Sequence, residues 1–598
     1  MKDNSCIKFL VFTAVSILLC LHVYAQQPLP SDSASASQIF IINAQRLNYE
    51  KKDSTEYQSA AGKVAIRQGT TLFYCDSVVL NRTANKMEAF GHVHINDADS
   101  IHTYCDYLRY TGSDKKAYLK GNVKLTDGKG TLTTTDLDYD VNTKIGIYTK
   151  SGKVVSNKSV LTSKEGYYYG ETKDVYFKKD VLLVDPENTV KTDTLLFNTE
   201  TNVATFVAPT EIKGKNNQKI LTSSGYYDAK NKKAFFAGRP HIEDSTVILD
   251  ADEVATDDSS GFSEARGRVI YKDTAQGVII IANNLKSNKK EESFLATQKP
   301  VMILKQDNDS IYIAADTFFS AKLSNLRRYR DVPVIVDGGD KDDENDKDDK
   351  NDASYNDSIN DKADIAKDTI TLNKAIVKNK TDDLTDSNDS SDSSNDLTDP
   401  SNNLSKKKDS TDRFIEAYAH VKIYNDSLQA VCDSLFYSAE DSAFRLFKSP
   451  IVWSKQDQIT GDTIYLFTEK KKPKRLYVFE NALSIEKAGD NYYNQVKGRT
   501  INGYFDSGRI NFIRTKGNAE SVYFAQDDDG RFIGVDKNSC DVIDMYFVNG
   551  EADRIVFRSS LQGTTYPMRQ ANLEDMKLRG FQWHDNLRPK TKYDLFGD

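Results

Sequence analysis

Residues 86–110 read KMEAFGHVHINDADSIHTYCDYLRY and contain two markers that recur along this chain of 598 residues. The first marker is a Gly-x-Val triplet, here Gly91-His92-Val93, and the second is a small residue followed by Asp, here Cys105-Asp106. The triplet recurs at Gly62-Lys63-Val64, Gly121-Asn122-Val123, Gly152-Lys153-Val154 and Gly267-Arg268-Val269. Its first three spacings are 29, 30 and 31 residues, and a period of this length predicts an array of stacked repeats.

The residues around each Asp alternate in polarity with a period of two. Phe73 and Cys75 precede Asp76 at alternate positions, and Val78 and Leu80 follow it, so the phase slips by one residue at the Asp. Alternation predicts half-buried strands, and the slip predicts a bend or a bulge. Each unit is therefore predicted to be a strand, a corner at Asp and a second strand, with equivalent residues of successive units ~4.8 Å apart.

Composition favours β structure and gives no support to a nucleic-acid-binding role. The chain has 32 Tyr and 28 Phe but only 12 Pro, and aromatic residues favour strands. Lys and Arg number 80 against 88 Asp and Glu, which gives a net charge of −8, whereas binding to nucleic acid requires a basic patch. The predicted fold class is all-β, an elongated array of ~30-residue repeats.

The first 25 residues have the layout of a secretory signal peptide. Lys2 and Lys8 flank the start of an apolar run at 9–23, and Ala25 ends a small-x-small cleavage site. The run is shorter than the ~20 residues of a membrane span. A short N-terminal anchor and a lipoprotein modified at Cys20 are the alternatives. We expect a soluble, exported protein cleaved near Ala25.

A long acidic insert interrupts the repeats. Residues 337–412 are nearly all Asp, Asn, Ser, Lys and Thr, and Tyr355 is the only aromatic residue among them. Such a stretch cannot bury a core and is predicted to be disordered, with a cation-binding tract as the alternative. The predicted organisation is a signal peptide at 1–25, a repeat block at 26–336, a disordered linker at 337–412, a second block at 413–560 and an irregular tail at 561–598.

The residue before each Asp is predicted to be small and buried. It is Cys75, Cys105, Thr135, Thr192, Ala251, Ala315, Cys432 and Gly461. Free Cys behaves as a small hydrophobe, so free buried thiols are favoured. A disulfide between Cys75 and Cys105 is the alternative, because an oxidising compartment permits it.

The sequence lacks the common catalytic and metal-binding motifs. It contains no His-Glu-x-x-His, no Cys-x-x-Cys, no phosphate loop and no Gly-x-Ser-x-Gly. His92 occupies the variable position of its triplet and is predicted to face solvent, with a metal site formed by His92, His94 and His102 as the alternative. We predict a protein that is not an enzyme and uses no metal or cofactor.

Several of these repeat units resemble the OstA/LptA (organic solvent tolerance) family. The resemblance rests on residues 86–93, 104–110, 118–123 and 223–228, covers about 39–336, and extends more weakly over 414–557. It implies a twisted β-jelly roll, open along one side, whose apolar interior carries the acyl chains of lipopolysaccharide across the periplasm of a Gram-negative bacterium. It also implies partners of like fold at the inner and outer membranes.

The predicted site follows from the alternation and from the resemblance. Two sheets packed face to face enclose a slot ~10 Å thick, and each acyl methylene buried there contributes ~0.8 kcal/mol. The side chains predicted to line this trough are Phe73, Leu80, Leu108, Leu195 and Phe197. The alternative from the residues alone is a filled core that holds no ligand.

The N-terminal edge of the array is predicted to assemble with another chain. Ile39, Phe40, Ile41 and Ile42 form an apolar run with no charged or Pro residue before Arg46, and unpaired strand edges accept strand addition. We expect pairing with a component of like fold, or a head-to-tail oligomer. The alternative functions are a secreted structural or adhesive β-solenoid that binds protein or glycan, and a polysaccharide-cleaving β-helix enzyme.

Overall fold

The computed structural model describes residues 38–97, 101–128, 130–156, 158–305, 310–335, 412–469, 472–506, 509–527, 529–548 and 551–596. The predicted signal peptide lies outside this part of the chain, as does the acidic insert apart from Asp412. Strands account for 69% of the structure and helices for 2%, which confirms the all-β class.

The strands alternate between long and short segments along the chain. Those within residues 38–163 are β1 Phe40–Asn43, β2 Arg46–Lys52, β3 Thr55–Gln68, β4 Thr71–Asn81, β5 Lys86–Asp97, β6 Ile101–Thr111, β7 Lys116–Thr126, β8 Gly130–Asp140, β9 Ile145–Tyr148, β10 Gly152–Ser156 and β11 Ser159–Ser163. Those within residues 165–257 are β12 Glu165–Tyr169, β13 Asp174–Val184, β14 Asn188–Asn198, β15 Val203–Phe206, β16 Thr210–Gly214, β17 Lys219–Thr222, β18 Ser224–Asp228, β19 Lys233–Ala237, β20 His241–Asp244, β21 Val247–Asp250 and β22 Glu253–Asp257.

The remaining elements follow the same order. Strands within residues 262–321 are β23 Phe262–Asp273, β24 Val278–Asn288, β25 Ser293–Thr297, β26 Val301–Lys305, β27 Ser310–Ala314 and β28 Thr317–Ala321. After residue 412 they are β29 Phe414–Tyr424, β30 Gln429–Ser438, β31 Ala443–Phe447, β32 Ile451–Ser454, β33 Asp457–Thr460, β34 Thr463–Glu469, β35 Lys472–Lys487, β36 Tyr493–Asp506, β37 Arg509–Gln526, β38 Phe532–Val548, β39 Glu551–Arg558 and β40 Gln562–Pro567. A helical turn, α1, spans Leu323–Leu326, and 3₁₀ turns span Lys215–Asn217 and Lys592–Leu595.

Each long strand of β3–β8 bends at its middle, where the predicted corner lies. Where β5 pairs with β6, Phe90 faces Tyr107 and Val93 faces Cys105, so two residues on β5 oppose Asp106 alone. This two-against-one count is a β-bulge, which bends the strand. Both bulge residues have positive φ, +70° at Gly91 and +43° at His92.

The Gly of the triplet is required by its backbone and by the Asp of the preceding strand. A Cβ on Gly91 would lie 2.3 Å from Asp76 Oδ2, and a Cβ on Gly267 would lie 2.4 Å from Asp252 Oδ2. The left-handed backbone independently favours Gly. The two markers are therefore two sides of one corner, in which the Asp carboxylate lies against a residue that has no side chain.

The variable residue of the triplet completes the corner. The His92 ring hydrogen-bonds through Nδ1 to Asp76 Oδ2 at 2.8 Å, and Asn122 Nδ2 donates to Asp106 Oδ2 at the same distance. The pKa of His92 is raised by its hydrogen bond to Asp76. His92 is thus exposed, as the sequence predicts, and its contact in the structure is a carboxylate of the neighbouring strand.

One ~30-residue repeat is a hairpin of two antiparallel strands, and this corrects the predicted spacing. β5 pairs with β4 on one side and with β6 on the other, so Cys75 and Cys105 are two strands apart, roughly 9.6 Å rather than 4.8 Å. Both are free thiols and are buried. Burial raises the pKa of Cys75 to about 11 and that of Cys105 to about 12.

The small-residue position needs one further correction. On β8 the residue that pairs with Val123 is Thr134, and Thr134 is buried whereas Thr135 is exposed. The predicted position is therefore wrong by one residue in this repeat. The hydroxyl of Thr134 donates to the carbonyl oxygen of Ser151 at 2.6 Å, which explains why a polar residue is accepted there.

The described chain separates into two compact units. The first comprises residues up to 319 together with 417–431 and 586–598, and the second comprises 320–416 and 432–585. The predicted block boundaries rest on composition and stay a prediction.

The second unit has apolar clusters on both faces of its longest strands. One face carries Val496, Ala519, Cys540 and Ile543. The opposite face carries Leu483, Ile485, Val522, Phe524 and Val535, and packs against residues of the C-terminal tail that include Met576, Leu578 and Trp583. The tail that the sequence predicts to be irregular thus contains one strand, β40, which pairs with β38, and an ordered segment that covers an apolar sheet face.

Buried glutamines hold this segment of the tail by its backbone. Gln495 accepts from the amide of Leu578 at 2.8 Å and donates to the carbonyl oxygen of Met576 at 3.0 Å. Gln458 accepts from the amide of His584 and donates to the carbonyl oxygen of Gln582, both at 2.7 Å. These contacts fix the tail across the sheet without a continuous strand pairing.

Candidate functional site

The inner face of the first unit is a continuous apolar surface. Alternate residues of the bent strands point to this face, and they form one cluster that runs from Ile39 to Tyr148. Phe73 lies before the corner of β4 and Tyr110 lies after the corner of β6, yet their ring centroids are 5.9 Å apart. Side chains from the two arms of the bent strands therefore meet across the interior.

The structure places the predicted trough residues at two levels of burial. Phe73, Leu80, Leu108 and Leu195 are 5%, 3%, 0% and 0% exposed, and Phe197 is half-buried. The first three belong to the single cluster on the inner face. They are in contact mainly with other side chains, so a ligand would reach them only by displacing neighbours.

A second group of inner residues is more accessible. These half-buried side chains pack on the margin of the cluster and are Ile41, Ala44, Ile95, Leu125, Leu132 and Tyr139. Leu125 is half-buried and follows Lys124, whose side chain is exposed on the opposite face. The sequence analysis missed this group, because alternation gives the face of a residue and not its depth.

The predicted edge residues lie on the outermost strand of the first unit. Phe40 and Ile42 are exposed by 38% and 51%, whereas Ile39 is 6% exposed and belongs to the cluster. Ile41 pairs with Ile66 of β3. Within the described chain, β1 and β2 pair with β3 alone, so the other edge of each is unpaired there.

The interior is open beside this edge. On β2, Leu47 pairs with Ala60 and Tyr49 pairs with Gln58 of β3, which places both β2 side chains on the inner face. Leu47 is nevertheless 49% exposed and Tyr49 is 64% exposed. Gln58 is only 4% exposed, and its Nε2 donates to Tyr49 Oη at 2.9 Å. The sequence analysis did not single out these three residues.

The histidines do not form a metal centre in the described part of the chain. His94 and His102 are joined by a 3.1 Å hydrogen bond on the outer face, and the His94 ring stacks on Tyr104. Partial burial and the neighbouring His102 lower the pKa of His94. No group of three or more His, Cys, Asp or Glu side chains suited to a metal ion occurs among the described residues.

His241 has the densest set of charged partners among the histidines. Its Nε2 lies 2.9 Å from Glu243 Oε1 and its Nδ1 lies 2.7 Å from Asp250 Oδ1. These two hydrogen bonds raise the pKa of His241, and the same contact lowers the pKa of Glu243. The cluster lies at the ends of β20 and β21 and binds the two strands together.

Comparison with known families identifies the region that forms this interior. Two overlapping segments, 36–193 and 178–252, match the family model described as OstA-like protein. This part of the chain is OstA-like. The match confirms the resemblance that the repeat units predict. The OstA-like region contains β1 to β21 and includes the bent strands, the corner residues and the open N-terminal end.

Other comparisons add less. The chain is similar to the crystal structure of LptH, described as the LptA-homologous periplasmic component of the lipopolysaccharide transport device from Pseudomonas aeruginosa. The identity is 15%, the alignment covers 17% of this chain and 79% of LptH, and the TM-score is 0.17, so the family model alone identifies the region. Comparison with curated proteins gave no significant match. No helix among the described residues is long and apolar enough to cross a membrane.

Proposed function

We propose that this protein is a periplasmic lipid-binding bridge in outer-membrane assembly. Its OstA-like region would hold the acyl chains of lipopolysaccharide or a related glycolipid between the two arms of its bent strands. The headgroup would stay in water at the open margin. The reaction class is transfer without covalent chemistry, and the protein would use neither a catalytic group nor a cofactor.

One observation carries this proposal. The OstA-like region has an apolar inner face that runs without interruption from Ile39 to Tyr148, and its first strand pair leaves Leu47 and Tyr49 largely exposed. A closed core would cover such residues, since exposing apolar surface costs ~25 cal/mol per Å². An interior that continues into a bound lipid or an adjoining protein accounts for them.

The same end of the molecule suits the proposed partners. Strand addition to β1 and β2 would satisfy their unpaired backbone groups and would join the two interiors into one apolar path. The partners would be inner-membrane and outer-membrane transport components of like fold, or a second copy placed head to tail. The signal peptide predicted at 1–25 would deliver the protein to the periplasm.

Native lipid analysis tests this function. The mature protein is purified from its own envelope without detergent exchange, and its bound lipids are identified by mass spectrometry. We expect a glycolipid in near-stoichiometric amount. If the protein carries no lipid and instead binds an envelope protein or a glycan, the proposal is wrong and the structural or adhesive alternative replaces it.

Photo-crosslinking locates the lipid. A crosslinker at Leu125 faces the half-buried inner margin, and one at the adjacent Lys124 faces outward, so the pair differs in face but not in height along the strand. Capture of lipid at Leu125 and not at Lys124 is expected. Equal capture at both positions would contradict the interior assignment.

A further inference from the structure

One row of the inner face contains a polar residue where its neighbours are mostly apolar. Strand pairing aligns Gln58 on β3 with Leu80 on β4, Met87 on β5, Tyr110 on β6 and Ala117 on β7. All five are buried. Successive strands thus offer the same environment to Leu, Met, Tyr and Ala, so packing alone does not require an amide at residue 58.

The amide of Gln58 is only half satisfied. Its Nε2 donates to Tyr49 Oη at 2.9 Å, but its Oε1 has no hydrogen-bond partner although Gln58 is 4% exposed. In the OstA-like region as far as the structure describes it, this is the one buried side-chain atom without a partner. Buried polar groups are normally hydrogen-bonded, and an exception calls for an explanation.

Access to this oxygen comes through the open end. Tyr49, directly across from Gln58, is 64% exposed, and Leu47 beside it is 49% exposed. The Tyr49 hydroxyl accepts from Gln58 and retains its own hydrogen as a donor. The site therefore offers one acceptor, Gln58 Oε1, and one donor, the Tyr49 O–H, with the apolar side chains of Leu47 and Ala60 next to them.

We propose that Gln58 and Tyr49 form a subsite for the hydroxyl group of a hydroxylated acyl chain. A hydroxyl donates one hydrogen bond and accepts others, so it completes both protein groups at once. The alkyl chain on either side of it lies against Leu47 and the adjoining inner face. The subsite rests on the proposed lipid-binding function, since it selects among acyl chains that this interior would hold.

Two fatty acids that differ by one hydroxyl test the subsite. Binding of 3-hydroxytetradecanoate and of tetradecanoate to the mature full-length protein is measured by isothermal titration calorimetry. The wild type is expected to bind the hydroxylated acid roughly three- to tenfold more tightly, which is the effect of about one net hydrogen bond. In Gln58→Leu this preference disappears while affinity for tetradecanoate is kept.

Two further variants serve as controls. Gln276→Leu makes the same substitution at an exposed turn position and is expected to keep the preference. Tyr49→Phe removes only the donor and is expected to reduce the preference by about half on a logarithmic scale. Since Leu80 fills the neighbouring place in the same row, Gln58→Leu is expected to fold, and its thermal unfolding is recorded. If it does not fold, Tyr49→Phe decides the matter.

The outcomes separate the subsite from the function. Equal binding of both acids by the wild type, or an unchanged preference in Gln58→Leu, overturns the subsite and leaves the lipid-binding function standing. Failure of the wild type to bind either acid, together with absence of lipid from the natively purified protein, overturns both.

Discussion

Replacing Gly91 with Ala tests the corner on which every repeat depends. Gly91 has φ +70°, and a Cβ there would lie 2.3 Å from Asp76 Oδ2, 3.0 Å from Cγ and 3.1 Å from Cβ of the same residue. The left-handed backbone costs a residue with a Cβ roughly 1–2 kcal/mol. In addition, the Asp76 side chain must rotate away and lose its contact with His92.

Gly128 provides the matched control. It also has positive φ, +82°, but nothing lies within 4 Å of the point that a Cβ would occupy there, so Gly128→Ala incurs the backbone cost alone. The double variant Asp76→Ala/Gly91→Ala removes the collision and keeps the backbone cost. We therefore expect destabilisation in the order Gly91→Ala, then the double variant, then Gly128→Ala, with the last two close together.

Hydrogen exchange followed by mass spectrometry measures these costs locally. The backbone cost alone accelerates exchange about 5- to 30-fold, in peptides of β4–β6 for the Gly91 variants and of β7–β8 for Gly128→Ala. Gly91→Ala should exceed this range. If Gly91→Ala is no worse than Gly128→Ala, or if removing Asp76 gives no relief, the Asp does not lie against the Gly in solution and the proposed role of the corner is wrong.

Four further outcomes follow from the site and the chain organisation. Leu108→Asp is expected to weaken lipid binding far more than Lys63→Asp, because only the first places a charge on the inner face; equal effects in a lipid-binding titration would contradict this. Deletion of 338–410 is expected to leave the melting temperature unchanged, and a large fall would show that the segment packs on the fold. Ile41→Pro is expected to abolish pairing with a partner while sparing the isolated fold, by removing a backbone donor; unchanged complex formation in pull-down assays would rule out strand addition at this edge. His241→Gln is expected to lower stability at pH 5 but not at pH 9, because a raised folded-state pKa gives stabilisation that is full below ~6.5 and is lost as pH rises through the folded value; equal effects on urea unfolding at both pH values would refute it.

The depth of each inner residue could not be predicted from alternation. A period of two assigns Leu108 and Leu125 to the same side of the sheet, but the first is fully buried and the second is at the accessible margin. Depth depends on how the two arms of a bent strand approach each other, and that angle comes from contacts such as Phe73 with Tyr110, which are distant in sequence. The predicted trough residues are therefore inner residues whose contact with a ligand stays a prediction.

The subsite at Gln58 illustrates a second limit. Nothing in the local sequence distinguishes Gln58 from an ordinary polar residue of a strand, since its place in the inner row is fixed by the bulge at residues 62 and 63 and by pairing with β2 and β4. The buried glutamines of the second unit are similar. Gln458 and Gln495 contact residues 126 and 81 positions away, and no short-range pattern encodes such partners.

The sequence by itself determined the all-β class, the ~30-residue period, the OstA-like resemblance and the positions of most corners. These features are local, because a left-handed Gly, an Asp beside it and alternating side chains each act on the chain within a few residues. Only the tertiary structure decided that a repeat is an antiparallel hairpin, that Cys75 and Cys105 are separated by an intervening strand, and that Gln58 Oε1 is left without a partner. Those outcomes depend on which strands pair and on how their arms close over the interior, and both are set by contacts between residues far apart in the chain.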